Sequence, residues 1–165
     1  FVFVGPKNDP AGIAVARTAQ EALRKIADAE AVFVSRGDDS GTHNRERSLW
    51  GAIAANLDQK NGWYRSVGAG MGAALNTASG MNAYIMSDRA SWLNFGNKGG
   101  LAMLYAGDPA LFNQYAYLPV NPLLHRHVKT TQAKNLEAWL TSSRAKELIN
   151  NYQIDGEKLF FFNAE

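Results

Sequence analysis

Cysteine is absent from the 165 residues, which removes disulfides, thiolate metal sites and cysteine nucleophiles from consideration. Long apolar runs are missing as well. No stretch approaches the roughly 18 residues of a membrane span, and the first residues lack the basic segment and apolar core of an export signal. Nor is there a surplus of one charge: Lys and Arg together number 17 against 15 Asp and Glu, and the signs are interspersed. A basic stripe of the kind that grips nucleic acid is therefore absent, and no nucleic-acid partner is expected. Internal repeats, low-complexity tracts and flexible linkers do not occur either. What remains is a chain 46% hydrophobic and 19% charged, enough for one substantial domain or two small lobes. It opens on "FVFVG", without methionine and in what reads as a strand, so a segment of a longer protein is expected.

Short β-rich runs alternate with helical patterns. "FVFV" (1–4), "AVFV" (31–34), "AYIM" (83–86), "LAMLYA" (101–106) and "YAYLPV" (115–120) read as strands. Between the first two, Ala19, Ala22, Leu23 and Ile26 fall at the i, i+3, i+4, i+7 spacing of an amphipathic helix. Leu49, Ile53 and Leu57 at fourfold spacing predict a second helix beginning near Thr42, and "GMGAALNTAS" (70–79) a third, entered through glycines. The alternation predicts an α/β fold with a mixed or mainly parallel sheet covered by helices. Pro122 breaks the pattern, and helices then run through "TTQAKNLEAWLTSS" and "SRAKELINNYQ" to a closing Phe160, Phe161, Phe162.

The densest polar chemistry is "SRGDDSGTH" (35–43), placed where a strand gives way to a helix. Backbone N–H groups at a helix start favour anions. Gly37 and Gly41 permit tight turns, Ser40 and Thr42 bring hydroxyls, and Arg36 a planar fork of donors suited to an oxyanion. A bland alternative stands beside this one: Asp39, Ser40 or Thr42 caps the helix while Arg36 pairs with Asp38 or Asp39. "SVGAGMGAAL" (66–75) is a second glycine-opened helix start, with Met71 and Gly72 N–H groups able to face the same ligand, or glycines that simply let helices pack. It lacks the spacing of a dinucleotide fingerprint. Arg89, in "SDRASW", either adds charge to a cleft or forms a loop ion pair. His43, His125 and His127 fit no zinc spacing, "DDSG" misses the calcium-loop pattern, and no nucleophile–base pair is visible. No protein-bound metal, cofactor or catalytic residue is expected.

In order along the chain, "GPKNDPAGI", "SRGDDSGTH", "WY" followed by "GAGMGAALNTAS", "YIMSDRASW" and "YLPVNP" resemble the tungstate-binding proteins of bacterial ABC transporters. The resemblance implies a two-lobed solute receptor of the periplasmic-binding-protein type II class, holding an oxyanion between its lobes. It implies that Arg36 confers selectivity, that Ser40, Gly41 and Thr42 contribute hydroxyl and amide donors at one helix, and that Met71 and Gly72 do so at another, with Arg89 in the same cleft. The family's Thr/Ser-rich loop, on its first lobe, does not occur here. Residues 1–120 are accordingly expected to form the second α/β lobe, and 121–165 a hinge return and helices belonging to the first. The implied ligand is tungstate or molybdate. The implied partner is a membrane permease, the protein being peripheral to the membrane, and the place periplasmic or extracytoplasmic, anchored to the surface in a Gram-positive cell. Self-association through an exposed C-terminal apolar surface is also expected. A cytoplasmic oxyanion-sensing domain and a metal-dependent phosphoryl-transfer enzyme using Asp38 or Asp39 are the alternatives.

Overall fold

The computed structural model describes residues 1–55, 57 and 62–164. These divide into two compact units, Phe1–Asn113 and Gln114–Glu165, whereas the resemblance places the boundary at 120.

The first unit is built on a five-stranded sheet of order β3-β2-β4-β1-β5, comprising β1 (Val2–Pro6), β2 (Phe33–Ser35), β3 (Tyr64–Ser66), β4 (Tyr84–Ser87) and β5 (Leu101–Tyr105). β2 runs parallel to both β3 and β4, while β1 is antiparallel to β4 and β5, so the sheet is mixed. Successive side chains on a strand face opposite ways, and both faces are covered. Phe3, Phe33, Tyr84 and Met86 pack with α1 (Ala19–Asp28) and α2 (Gly41–Ala52) on one side. Val2, Val4, Val34 and Ile85 pack on the other with α3 (Met71–Met81) and α4 (Arg89–Asn94). All four expected apolar positions of α1 are buried. Aromatic contacts tie α2 to the sheet: Trp50 meets Phe33 edge-on at 5.1 Å between ring centroids, and Phe33 stacks on Tyr64 at 6.0 Å. Such pairs contribute about 0.5–1.5 kcal/mol each beyond the area they bury.

Within the first unit, three elements depart from the sequence expectation. α2 stops at Ala52 rather than running on through Leu57, because Ala54 turns into the left-handed region (φ 51°). Ala54 N–H then bonds Gly51 C=O and Ala55 N–H bonds Trp50 C=O, a Schellman stop without its usual glycine. β3 forms from "YRS", a run too short and polar to read as a strand, because β2 offers it a parallel edge. "SDRASW", expected as a loop, holds the six-residue α4, capped by the Asp88 carboxylate on Ser91 N–H at 2.8 Å.

The second unit contains α5 (Thr130–Leu140), α6 (Ser143–Asn151) and a hairpin of β6 (Gln153–Ile154) and β7 (Glu157–Lys158). Asp155 and Gly156, both at positive φ, make its two-residue turn. The strand expected over 115–120 does not form. Pro119 carries no N–H for a ladder, Leu118 is 81% exposed, and the run pairs with no strand among the described residues.

Candidate functional site

The parallel pairing of β3, β2 and β4 sends three loops out at one edge of the sheet, and each leads directly into a helix: α2, α3 and α4. The carboxyl edge of parallel strands is where open α/β sheets collect ligands.

The first loop follows Ser35. Gly37 adopts φ 62°, and a Cβ there would lie 1.8 Å from Ser66 Oγ and 3.3 Å from Gly68 N. A side chain there would have to displace Ser66 Oγ and strain the left-handed backbone, and the first two loops touch. Ala69 N–H donates to Arg36 C=O at 3.1 Å, and Val67 N–H to Ser35 C=O at 3.0 Å, closing the seam between them. Asp39 is also left-handed, at φ 55°, a conformation costly for a residue with a side chain. The first turn of α2 reaches back to hold it: His43 Nδ1 accepts Asp39 N–H at 3.0 Å and Asn44 Nδ2 donates to Asp39 C=O at 3.0 Å.

Arg36 Nη2 donates to Asp38 Oδ2 at 2.5 Å, with only 17% of the arginine side chain exposed. Ser40 N–H approaches Asp38 Oδ1 at 3.3 Å. The Ser40 hydroxyl first, and the Arg36 guanidinium after it, outweigh partial desolvation and hold the Asp38 carboxyl down at about 2. Arg36 Nε is buried and has no hydrogen-bond partner among the described residues. An orphaned guanidinium donor of this kind calls for an acceptor.

Ser40 caps α2, its Oγ accepting His43 N–H at 3.3 Å. The capping alternative for "SRGDDSGTH" is realised, Ser40 being the cap and Arg36 pairing with Asp38, and the amides of Gly41 and Thr42 stay among the orphan donors of the first turn. α3 opens on Gly70, which has no side chain to cap it, and its first intrahelical bond runs from Ala74 N–H to Gly70 C=O. The amides of Met71 and Gly72 therefore head the helix without a capping side chain. Arg36 and Ser40 lie on one loop, Gly41 and Thr42 begin the helix that follows it, and Met71 and Gly72 begin the helix after the loop it touches. Arg89, first residue of α4, emerges at the same edge from β4, on the opposite side of β2 from β3.

Two residues escaped the sequence reading. His43, weighed only as a metal ligand, braces Asp39 instead, and no group of three metal-binding side chains occurs among the described residues. Glu46 is 2% exposed beneath the loop, where Tyr64 Oη donates to its Oε1 at 2.7 Å. Its signal was positional: it stands three and four residues before the buried Leu49 and Trp50, on the apolar face of α2.

A domain model described as "PBP superfamily domain" matches residues 1–144. The chain is 38% identical over 168 residues to a tungstate-binding protein of Peptoclostridium acidaminophilum, a match covering 99% of this chain and 58% of that protein. The solved structure of a tungstate-binding protein from Desulfovibrio alaskensis G20 is 40% identical with a TM-score of 0.86, over 99% of this chain and 67% of that one. A structure described as the tungstate ABC transporter from Geobacter sulfurreducens is 41% identical with a TM-score of 0.80, over 92% of this chain and 63% of that one. The chain spans about half the length of the curated relatives it matches. On this match and on its mixed α/β sheet, the chain belongs to the PBP superfamily.

Proposed function

We propose that the loops after β2 and β3 form half of an oxyanion site in an extracytoplasmic solute receptor, and that its ligand is tungstate, with molybdate, of nearly equal size and charge, as the close competitor. The observation that carries this reading is the Arg36 guanidinium, largely buried and with Nε unpaired, beside two helix starts whose first amides lack capping partners. A fixed guanidinium and helix-start amides are donors only, which suits an anion without protons. Hydrogen phosphate needs an acceptor for its proton. Asp38 is engaged by Arg36 and Ser40 and the Asp39 side chain is 87% exposed, so a phosphate proton would have to use the acceptor sites left on Asp38. Asp38 orients Arg36, as supporting groups do in preorganised sites. The relatives named for tungstate support the ligand, and those named as ABC transporter components support delivery to a permease.

The second unit, in this reading, belongs with a further lobe that completes the cleft, and closure of the two lobes signals the loaded state to the permease. No helix among the described residues is long and apolar enough to cross a membrane. The test is calorimetric titration of the full-length gene product with tungstate, molybdate, sulfate and phosphate. Arg36→Ala is expected to lower tungstate affinity at least about 100-fold, or about 3 kcal/mol. Unchanged affinity in that variant refutes the site.

A further inference from the structure

Glu46 sits where an ordinary helix carries an apolar residue. It projects from the face of α2 that is buried with Leu49 and Trp50, and is itself 2% exposed. Tyr64 Oη, from β3, donates to Glu46 Oε1 at 2.7 Å. Ser35, the last residue of β2, and Trp50 turn Oγ and Nε1 toward the same carboxyl, near enough to pull its pKa down yet outside good hydrogen-bond geometry. Buried polar atoms are rarely left unpaired, and each exception calls for a reason. Ser35 immediately precedes Arg36, and α2 is the helix whose first turn presents Gly41 and Thr42. One carboxyl therefore meets both supports of the cradle.

Burial is the leading influence on this acid. It lifts Glu46 to about 7, against the opposing pull of Tyr64, Ser35, Trp50 and, at longer range, Arg47. Among the described residues, Tyr64 from β3 and Arg47 from α2 are the ionisable groups acting on it; β2 contributes the Ser35 hydroxyl, and α1 and β4, which also pack on α2, contribute none. Tyr64 is itself pushed up, by burial first and by Glu46 second, so it stays a neutral phenol and a donor.

We propose that Glu46 is a positioning residue for the oxyanion cradle, bracing Ser35 and Tyr64 through a protonated carboxyl and loosening the hold on a dianion when it ionises. The inference rests on the reading of that cradle as an oxyanion site. A protonated carboxyl accepts from Tyr64 and still has one O–H to give. Ser35 Oγ, turned toward the same carboxyl, is the acceptor proposed for it, at the end of β2 next to Arg36. Ionised, Glu46 still accepts from Tyr64 and from the Ser35 hydroxyl; what changes is the charge, placed six residues along from Ser40, about 9 Å at 1.5 Å per residue. Buried charges are poorly screened by salt, so this one opposes a dianion at the helix start. By reciprocity, a bound dianion keeps Glu46 protonated, and binding near neutral pH takes up a proton.

The experiment titrates micromolar tungstate, a dianion without protons across the range, into the full-length gene product from about pH 6 to about pH 8.5. Wild-type Kd is expected to rise about tenfold over that interval, the equivalent of a shift of about one unit in Glu46 on binding. Glu46→Gln keeps an acceptor for Tyr64 and an N–H for Ser35 without titrating, so its Kd is expected to stay flat near the acid-side value of the wild type. Calorimetry of the wild type in two buffers of different ionisation heat is expected to read proton uptake on binding, which needs no variant to fold. A wild-type Kd independent of pH, a slope that survives in Glu46→Gln, or binding without proton uptake overturns the role of Glu46 and leaves the receptor reading standing. No tungstate binding to the wild type at any pH overturns both.

Discussion

Asp38 and Glu46, two carboxyls eight positions apart, are pushed in opposite directions by their surroundings. Asp38 is held at about 2, chiefly by the Ser40 hydroxyl, so its contribution to stability is present above the unfolded value near 3.8 and is lost as pH falls toward 2. Glu46 behaves the other way. Raised from 4.5 to about 7 by burial, it binds a proton in the fold at pH values where the unfolded chain has released it. Stability contributed by this group is therefore complete below about 4.5 and is lost as pH climbs to about 7. The loss over that window is on the order of 3 kcal/mol. Glu46→Gln does not titrate, so urea denaturation is expected to show the variant gaining on the wild type by about that amount between pH 4.5 and pH 8. A difference between the two proteins that stays constant with pH contradicts the buried, proton-holding role. That role could not be read from composition, because a glutamate is ordinarily a surface residue, and only the company of Leu49 and Trp50 on one helix face betrays it. Arg36 stands out for the opposite reason: its neighbours in "SRGDDSGTH" are so rich in donors and turn formers that the local sequence admits an anion cradle beside a helix cap and an ion pair, and the family resemblance favours the cradle.

At the level of elements, what the chain announces depends on how much of an element's stability is local. α1 declares itself through Ala19, Ala22, Leu23 and Ile26, with Thr18 accepting from Glu21 N–H at its start. β1 and β4 are buried throughout, and apolar but for Ser87, because both faces of the sheet are covered. β3 is different: Arg65 and Ser66 are exposed, and it becomes a strand only because β2 is there to pair with. The stop of α2 was equally hidden, since no glycine marks it. Ala54 takes the left-handed position that glycine normally fills. Ala54→Gly is therefore expected to stabilise the first unit by about 1 kcal/mol, the relief of left-handed strain outweighing the extra freedom of glycine in the unfolded chain. Chemical denaturation of the variant decides the point, and a lower midpoint would mean that Ala54 packs well enough to repay its strain.

On the scale of the whole molecule, the two units differ sharply in how they satisfy their apolar residues. Phe1–Asn113 buries two clusters against both faces of one sheet. Within Gln114–Glu165, Ala145 and Leu159 are the buried hydrophobics, while Leu136, Trp139, Leu148 and Phe161 stand exposed. Leu140, Ile149, Phe160 and Phe162, expected on the same surface, are only half-buried. A groove lined by Tyr117, Val120, Val128 and Leu136 adds to the apolar area. Soluble monomers seldom leave contiguous surface of this kind in water, because the loss on exposure grows with area at about 25 cal/mol per Å². Under the proposal that a further lobe completes the receptor, that surface would be an interior interface. Produced as these 165 residues, the protein is accordingly expected to bind a hydrophobic dye and to show a mass above that of the monomer by light scattering. Replacing Trp139 and Leu148 together by lysine is expected to abolish both signals without lowering the stability of the first unit, to which neither residue belongs. A monomer that binds no dye would mean that this surface is content in water, and that the second unit needs no partner to complete it.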